Sequence, residues 1–307
     1  MTATPGARGT IRPPLLDALQ ALTPAEQDAL AEMARRYRLA PPRAAGPSGL
    51  AFVQSFLKAD PRLPAFRTPM SVSAGPPALV KQFPGRRQVQ LPDTAPRVTV
   101  GLQDVLERRR SSHDFGSTAM PLSALGALLH AACGVREFRR AYDVRAFPFR
   151  YSPSAGGLQP IDVYLVANDV DGLTRGLYYH DPVASALTLL DEGNLRRRMS
   201  RCGLDRPWLA HAHAVLVLVC NLARVSWKYG DRGYRFAHID AGVLAQNLYL
   251  AGTALELNTC AVAGYYEDAV HELLDIDGRD ECAVLLFAVG SRPDERPIAP
   301  TGTEHAE

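Results

Sequence analysis

No stretch of this chain approaches the ~18 consecutive apolar residues that a membrane-spanning helix requires, so an integral membrane protein is not expected. Net charge is nearly absent as well: 34 Lys and Arg face 32 Asp and Glu, leaving +2. Without a global basic field, nucleic acid and anionic membrane surfaces are not expected partners. Cysteine is scarce. Cys133, Cys202, Cys220, Cys260 and Cys282 are odd in number, widely spaced and mostly set in apolar runs. That pattern reads as buried free thiols in a reducing cytoplasm, with neither a disulfide framework nor a metal site. The first residues lack the charged-then-apolar pattern of a secretory signal. A Gly-x-Gly-x-x-Gly fingerprint, a P-loop and a serine nucleophile elbow are all missing, which removes the commonest nucleotide-binding and hydrolase signatures. No internal repeat is seen.

What is present is a chain of 307 residues with 47% hydrophobic content, enough for one large domain or two modest ones. Residues 1–14 form a Pro/Gly/Thr-rich leader. Leu15, Leu16, Leu19 and Leu22 recur at helical spacing. Thr23-Pro24-Ala25-Glu26 reads as a capping box opening a helix to about Tyr37, which Pro41 and Pro42 stop. Another helix is expected near residues 50–57. Residues 1–97 are therefore read as a helical arm or accessory region. The alternative is a leader-peptide-binding unit, although no strand pattern suited to peptide augmentation stands out.

From Val98 the texture becomes regular. Residues 102–109 suit a short helix. Leu122, Leu125, Leu128 and Leu129 mark another, ending at Gly134 as a C′ glycine. Residues 163–167, 177–179, 187–190, 214–219, 259–263 and 282–289 read as strands, with a turn at Asp181-Pro182. Ala241, Leu244, Ala245, Leu248, Ala251, Ala254 and Leu255 form the stripe of a long buried helix over residues 238–257. Helices around a mixed, mostly antiparallel sheet make an α+β fold. The expected boundaries are 98–295 for this domain and 296–307 for a flexible tail.

Three segments carry candidate chemistry. Arg109-Arg110-Ser111-Ser112-His113-Asp114-Phe115 combines guanidinium forks with hydroxyls, a donor set suited to phosphate oxygens. Alone, such a run reads equally as a solvated basic helix end. Pro153-Ser154-Ala155-Gly156-Gly157 is a run of small residues that lets backbone approach a flat ring closely. Its plainer reading is a tight loop before a strand. Lys228-Tyr229 sets an amine beside a phenol, the pair suited to take a proton from a weakly acidic carbon once their pKa values are lowered. Elsewhere a Lys-Tyr dipeptide is a surface Lys beside a packing Tyr. His211 and His213 read as a strand entry, not as metal ligands. His130 reads as a core histidine. Tyr265-Tyr266 would line a channel or pack at an edge.

Together these segments resemble the nitroreductase superfamily, and its SagB-type branch of FMN-dependent azoline dehydrogenases in particular. The Arg-Arg-Ser-x-basic-x-aromatic run, the Pro-Ser-Ala-Gly-Gly turn and Lys228-Tyr229 with its flanks Gly230, Tyr234-Arg235, Asp240-Ala241-Gly242 and Gln246-Asn247 carry the resemblance, which covers about residues 98–292. It implies a nitroreductase-like fold and a homodimer with FMN at the subunit interface. Arg109, Arg110, Ser111, His113 and Arg292 would grip the phosphate and ribityl chain. Pro153, Ser154, Ala155, Gly156 and Gln246 would lie about the flavin, with Ala263 and Gly264 offering backbone donors near its N5. Lys228 and Tyr229 would take the proton as a thiazoline or oxazoline ring becomes a thiazole or oxazole. Implied partners are an azoline-containing peptide, ribosomal or synthetase-bound, and a cyclodehydratase or carrier protein. Other readings stay open: an NAD(P)H-dependent reductase, a cyclic-dipeptide desaturase, or a flavin-less peptide-binding scaffold. The chain departs from the family pattern at His113, at Val243 and along Glu256-Leu257-Asn258.

Overall fold

The computed structural model describes residues 23–25, 76–92, 99–230 and 232–293. The chain divides into two units, Met1–Asp60 and Pro61–Glu307. In the first, Pro24 and Ala25 are helical, as the Thr23 cap suggests. The helices expected over residues 15–22, after Ala25 and over 50–57, and the tail expected at 296–307, lie outside the described residues.

The second unit is built on a seven-stranded sheet. Its strands are β1 (Gln88–Gln90), β5 (Ile161–Ala167), β7 (Gly176–Asp181), β8 (Ala186–Glu192), β9 (Ala214–Asn221), β10 (Leu257–Val262) and β11 (Glu281–Ser291). Their order is β1-β8-β7-β5-β9-β11-β10, antiparallel throughout. The parallel component is a separate small pair, β2 (Met120–Pro121) with β6 (Val170–Asp171). The edge strand β1 falls ahead of residue 98, so the sheet recruits residues from the region read as an arm.

Strand alternation sorts the core into two layers. Val163, Leu165, Leu216, Leu218 and Phe287 pack against α2 (Leu122–Cys133) and α5 (Arg232–Ala254). Tyr164, Val166, Val215, Val217 and Val219 face α3 (Arg196–Cys202) and α6 (Glu267–Leu274). With helices on both faces, β5 is buried at every residue and β9 at all but Asn221. That is why both read as unbroken apolar runs. Each fully buried Leu or Phe contributes roughly 1.5–3 kcal/mol over an exposed one. The turn between β7 and β8 is closed by the Asp181 carboxylate, which accepts from the N–H groups of Val183 (2.8 Å) and Ala184 (2.9 Å).

Helix α5 positions the site. Ala237, Ala241, Leu244, Ala245, Leu248 and Ala251 are buried along one face, and their small size lets the helix lie close on the sheet. It begins six residues before the expected His238, because the polar stretch ahead of that residue masks the apolar period. It stops at Ala254, and Glu256 turns the chain at φ 58°. Two local expectations are corrected. Gly134 is the C-cap of α2, and its φ of −62° is not left-handed. A side chain there would strike the His130 carbonyl at 2.6 Å, so close approach selects glycine. His130 itself is exposed, against the edge of Tyr151, and is not a core histidine.

The five thiols are free, three buried and two half-buried. Among the described residues no helix is long and apolar enough to cross a membrane.

Candidate active site

The turn 153–157 joins β4 (Val144–Arg150) to β5. Its conformation is locked by short polar contacts. Ser154 Oγ accepts from the Gln159 N–H at 2.9 Å, and the Ser154 carbonyl accepts from Gly157 at 2.9 Å. Asp240, buried on α5, receives the Ala155 N–H at 3.1 and 3.2 Å. Burial raises the Asp240 pKa, and its bonds to Ser154 and Ala155 hold the rise back. The sequence reading noted Asp240 only as a flank; here it anchors the turn.

Gly156 sits at φ 63°, and a Cβ there would lie 2.6 Å from Tyr229 Oη, 2.9 Å from Tyr142 Oη and 3.1 Å from Lys228 Nζ. The glycine turn and the Lys-Tyr pair, 72 residues apart, therefore meet in one place. Lys228 and Tyr229 end the short helix α4 (Ala223–Tyr229), which the strand β9 delivers to this edge.

Tyr142 was not singled out from the sequence. It lies with Asp143 at the tip of the hairpin formed by β3 (Val135–Ala141) and β4, at φ 52° and 60°. Two consecutive positive φ values mark the mirror-image turn usual for two-residue hairpins, normally built from Asn or Gly. A tyrosine held there costs conformational energy and is a hint of function. Its phenol donates to the Gly156 carbonyl at 2.6 Å and accepts from Lys228 Nζ at 2.8 Å. Trp227 packs edge-on against the Tyr142 ring at 5.5 Å, and its buried Nε1–H has no acceptor among the described residues.

Electrostatics revise the expectation for Lys228. Partial burial pulls its pKa down, but the hydrogen bond to Tyr142 and the attraction of the Tyr142 and Tyr229 oxygens outweigh this and raise it above the ordinary lysine value. Nζ also lies 4.8 Å from the Tyr142 ring centroid and 5.2 Å from that of Tyr229. These surroundings favour the charged form of the amine.

The basic run forms a second cluster. After α1 (Leu102–Arg108) the chain is extended, so alternate side chains diverge. Arg110 and Ser112 line a cavity of about 380 Å³ with Arg108, Asn258 and Arg292. Arg109 lies over the Tyr249 ring at 5.3 Å, Ser111 Oγ bonds Tyr249 Oη at 2.9 Å, and His113 stacks on Trp208 at 5.1 Å. Glu256 pairs with both Arg108 and Arg292. The Glu256 carboxylate shows that the guanidiniums of Arg108 and Arg292 accept an oxyanion, so a phosphate group fits beside them. From the sequence, Arg108 was not singled out, Asn258 was noted only as a departure from the family pattern, and Ser112 only as part of the basic run; the period-two alternation would have pointed to Ser112.

Gln246 is exposed on α5 and makes no hydrogen bond among the described residues. Ala263 and Gly264 are exposed just past β10, with the Gly264 carbonyl held by Arg206 at 2.6 Å. His213 bonds Gly116 and Ser291 through its two ring nitrogens, a structural role. Tyr265 is buried and donates to Ala283 at 2.8 Å, while Tyr266 is exposed. Asp240 and Thr253, which mark the two clusters, lie 13 residues apart on α5. That is ~20 Å at 1.5 Å per residue. One chain therefore does not bring the glycine turn and the arginine cavity together.

Comparison with known proteins accords with this geometry. The nitroreductase family model matches residues 106–291, and the chain belongs to that family. It is thus a nitroreductase-family oxidoreductase. A Methanocaldococcus jannaschii protein bearing the nitroreductase name is 33% identical over 205 residues, which is 67% of this chain and 96% of that one. The microcin B17-processing protein McbC of Escherichia coli is 26% identical over 248 residues, 76% of this chain and 86% of that protein. Among solved structures, an Anabaena variabilis protein with the nitroreductase name aligns at TM-score 0.57 and 28% identity. The alignment covers 69% of this chain but 42% of that longer one. A chain of the E. coli microcin synthetase McbBCD complex, solved with truncated pro-MccB17 bound, shares the fold at TM-score 0.53 and 20% identity. It covers 91% of this chain and 98% of that one.

Proposed function

We propose that this protein is an FMN-dependent azoline dehydrogenase acting on a peptide natural product. The observation that carries the reading is the convergence of Lys228, Tyr229 and Tyr142 on the Gly156 turn. Similarity to a protein named for microcin B17 processing supports it.

Oxidising a thiazoline or oxazoline to its aromatic ring removes one proton and one hydride equivalent. FMN would supply the hydride acceptor, with dioxygen as the final oxidant. Its phosphate end would be held by Arg108, Arg110, Ser112, Asn258 and Arg292, with Arg109, Ser111 and His113 alongside. Its ring would lie against Pro153, Ser154, Ala155 and Gly156, with Gln246, Ala263 and Gly264 lining the remainder. Because these two sets lie ~20 Å apart on one chain, each complete site draws on two copies, a homodimer.

The chain's own groups handle the proton. Tyr229 takes it from the ring carbon as phenolate. The Lys228 ammonium stabilises that oxyanion before transfer, and Tyr142 fixes the ammonium between the hairpin tip and the turn. A cyclodehydratase or carrier protein would present the azoline, as a chain of like fold sits in the McbBCD complex.

The test is the pair of variants Lys228→Ala and Tyr229→Phe. Both are expected to keep bound FMN and lose azoline turnover. Full turnover in both would end the proposal. Rapid bleaching of the flavin by NADPH would instead favour a general reductase, the role suggested by the M. jannaschii relative's name.

A further inference from the structure

The hairpin that carries Tyr142 is rich in exposed arginine. The chain as a whole is nearly neutral, at +2. Yet Arg136, Arg139, Arg140 and Arg145 are all exposed on this one hairpin. The carboxylate of Glu137 serves two of them, Arg136 at 2.5 Å and Arg139 at 3.4 Å. Arg139 also lies over Phe149 at 4.5 Å. Arg140 and Arg145 form no ion pair or hydrogen bond among the described residues. They flank the tip from opposite strands, where Ala141 pairs with Val144. The ladder is irregular between Arg139 and Ala141, so Arg140 and Arg145 are not a registered cross-strand pair, but both place a guanidinium beside the tip.

The backbone is unpaired too. β3 and β4 bond to each other and to no other strand among the described residues. β3 is exposed or half-buried along its length, with Phe138 55% exposed, whereas β4 is buried at Phe147, Pro148 and Arg150, so the edge open to a further strand is that of β3. The tip is tied to the reacting groups through Tyr142, 2.8 Å from Lys228 Nζ. Each strand is seven residues long, which spans ~23 Å at 3.3 Å per residue.

Resting on the azoline dehydrogenase reading, we propose that this hairpin is the substrate-binding arm and that it selects peptides with acidic side chains near the ring to be oxidised. An extended peptide adds along a free edge, where main-chain bonds supply affinity. Its carboxylates pair with Arg140 and Arg145, and so set the ring at Lys228 and Tyr229. Rim charges act mainly on encounter and register, so selection falls on KM.

The test uses the full-length protein reconstituted with FMN. Two fluorescein-labelled synthetic peptides are compared, each with one thiazoline, flanked by Asp and Glu or by Asn and Gln. The acidic peptide is expected to show at least tenfold lower Kd by anisotropy and lower KM at equal kcat, an advantage lost at high salt. Arg140→Glu/Arg145→Glu is expected to abolish that preference while keeping bound flavin, and Arg201→Glu, an exposed control, to retain it. Equal binding of both peptides would overturn the arm. So would a change of oligomeric mass in the double variant, which would assign the hairpin to contact with a second copy. Oxidation without charge preference would sink the arm and leave the dehydrogenase reading standing. Charge-selective binding without oxidation by the wild type would do the reverse.

Discussion

Gly156 and Gly157 are neighbours with the same backbone demand and different surroundings, which makes them a matched pair for testing the site. Both are left-handed, at φ 63° and 71°. An alanine at either position bears a torsional cost of ~1–2 kcal/mol. At position 156 the added methyl meets the far ends of Tyr229, Tyr142 and Lys228, at 2.6, 2.9 and 3.1 Å. These flexible ends can move aside, so stability should lose little beyond the torsional term. For a domain of this size that is a drop in Tm of about 2–8 °C. Turnover should suffer far more, because displacing a reacting group by ~1 Å can cost a hundredfold. At position 157 the methyl meets Cε1 of Phe149 at 2.7 Å, a ring packed against Phe147 at 5.3 Å. Overpacking there adds roughly 1–3 kcal/mol and leaves the Lys-Tyr pair in place. Gly157→Ala should therefore be the less stable variant, and Gly156→Ala the less active one. Thermal melts by circular dichroism and azoline turnover below the melting range would rank them. The reverse ranking in activity, or wild-type turnover in Gly156→Ala, would refute the placement of the site.

Two further outcomes follow from charge. Glu256 holds Arg108 and Arg292, and exposed ion pairs of this kind contribute at most ~1 kcal/mol each. Glu256→Gln should thus tighten FMN binding about three- to tenfold in a fluorescence titration, and an unchanged or weaker Kd would remove the phosphate from that cavity. His180 is buried against Arg150, and burial, then that charge, pushes its pKa from 6.5 to about 3. The folded state thus takes up a proton less readily than the unfolded one, so this contribution is complete above pH 6.5 and lost as pH falls from 6.5 towards 3. Between pH 7 and 4.5 the loss from this residue is roughly 2–3 kcal/mol. Urea unfolding should show it in the wild type and a flatter acid limb in His180→Gln; parallel limbs would contradict the assignment.

Where burial was continuous, the fold was legible in the sequence. The strand segments 163–167 and 214–219, which the structure extends to 161–167 and 214–221, and the small-residue stripe of α5 follow from apolar pattern alone. The hairpin 135–150 was not legible, because four exposed arginines interrupt the alternation and Tyr142-Asp143 lacks the Asn or Gly that announces such a turn. Tyr142 was missed with it. The glycine turn and Lys228-Tyr229 were legible as motifs, but their contact depends on long-range packing of β5 and β9 that no local pattern reveals. In the basic run, the residue types pointed to an anion site. Which side chains line the cavity depended on an extended backbone after Arg108, and placed Arg110 and Ser112 there while Arg109 and Ser111 turned to Tyr249.

The most direct test of the central claim is anaerobic addition of a thiazoline-containing peptide to the FMN-loaded protein while absorbance is recorded from 300 to about 550 nm, where oxidised flavin absorbs and bleaches on accepting a hydride equivalent. Bleaching of the flavin with formation of one thiazole per flavin, and return of colour on admitting air, is the predicted result. A flavin that stays oxidised with this peptide and is bleached by NADPH would contradict it.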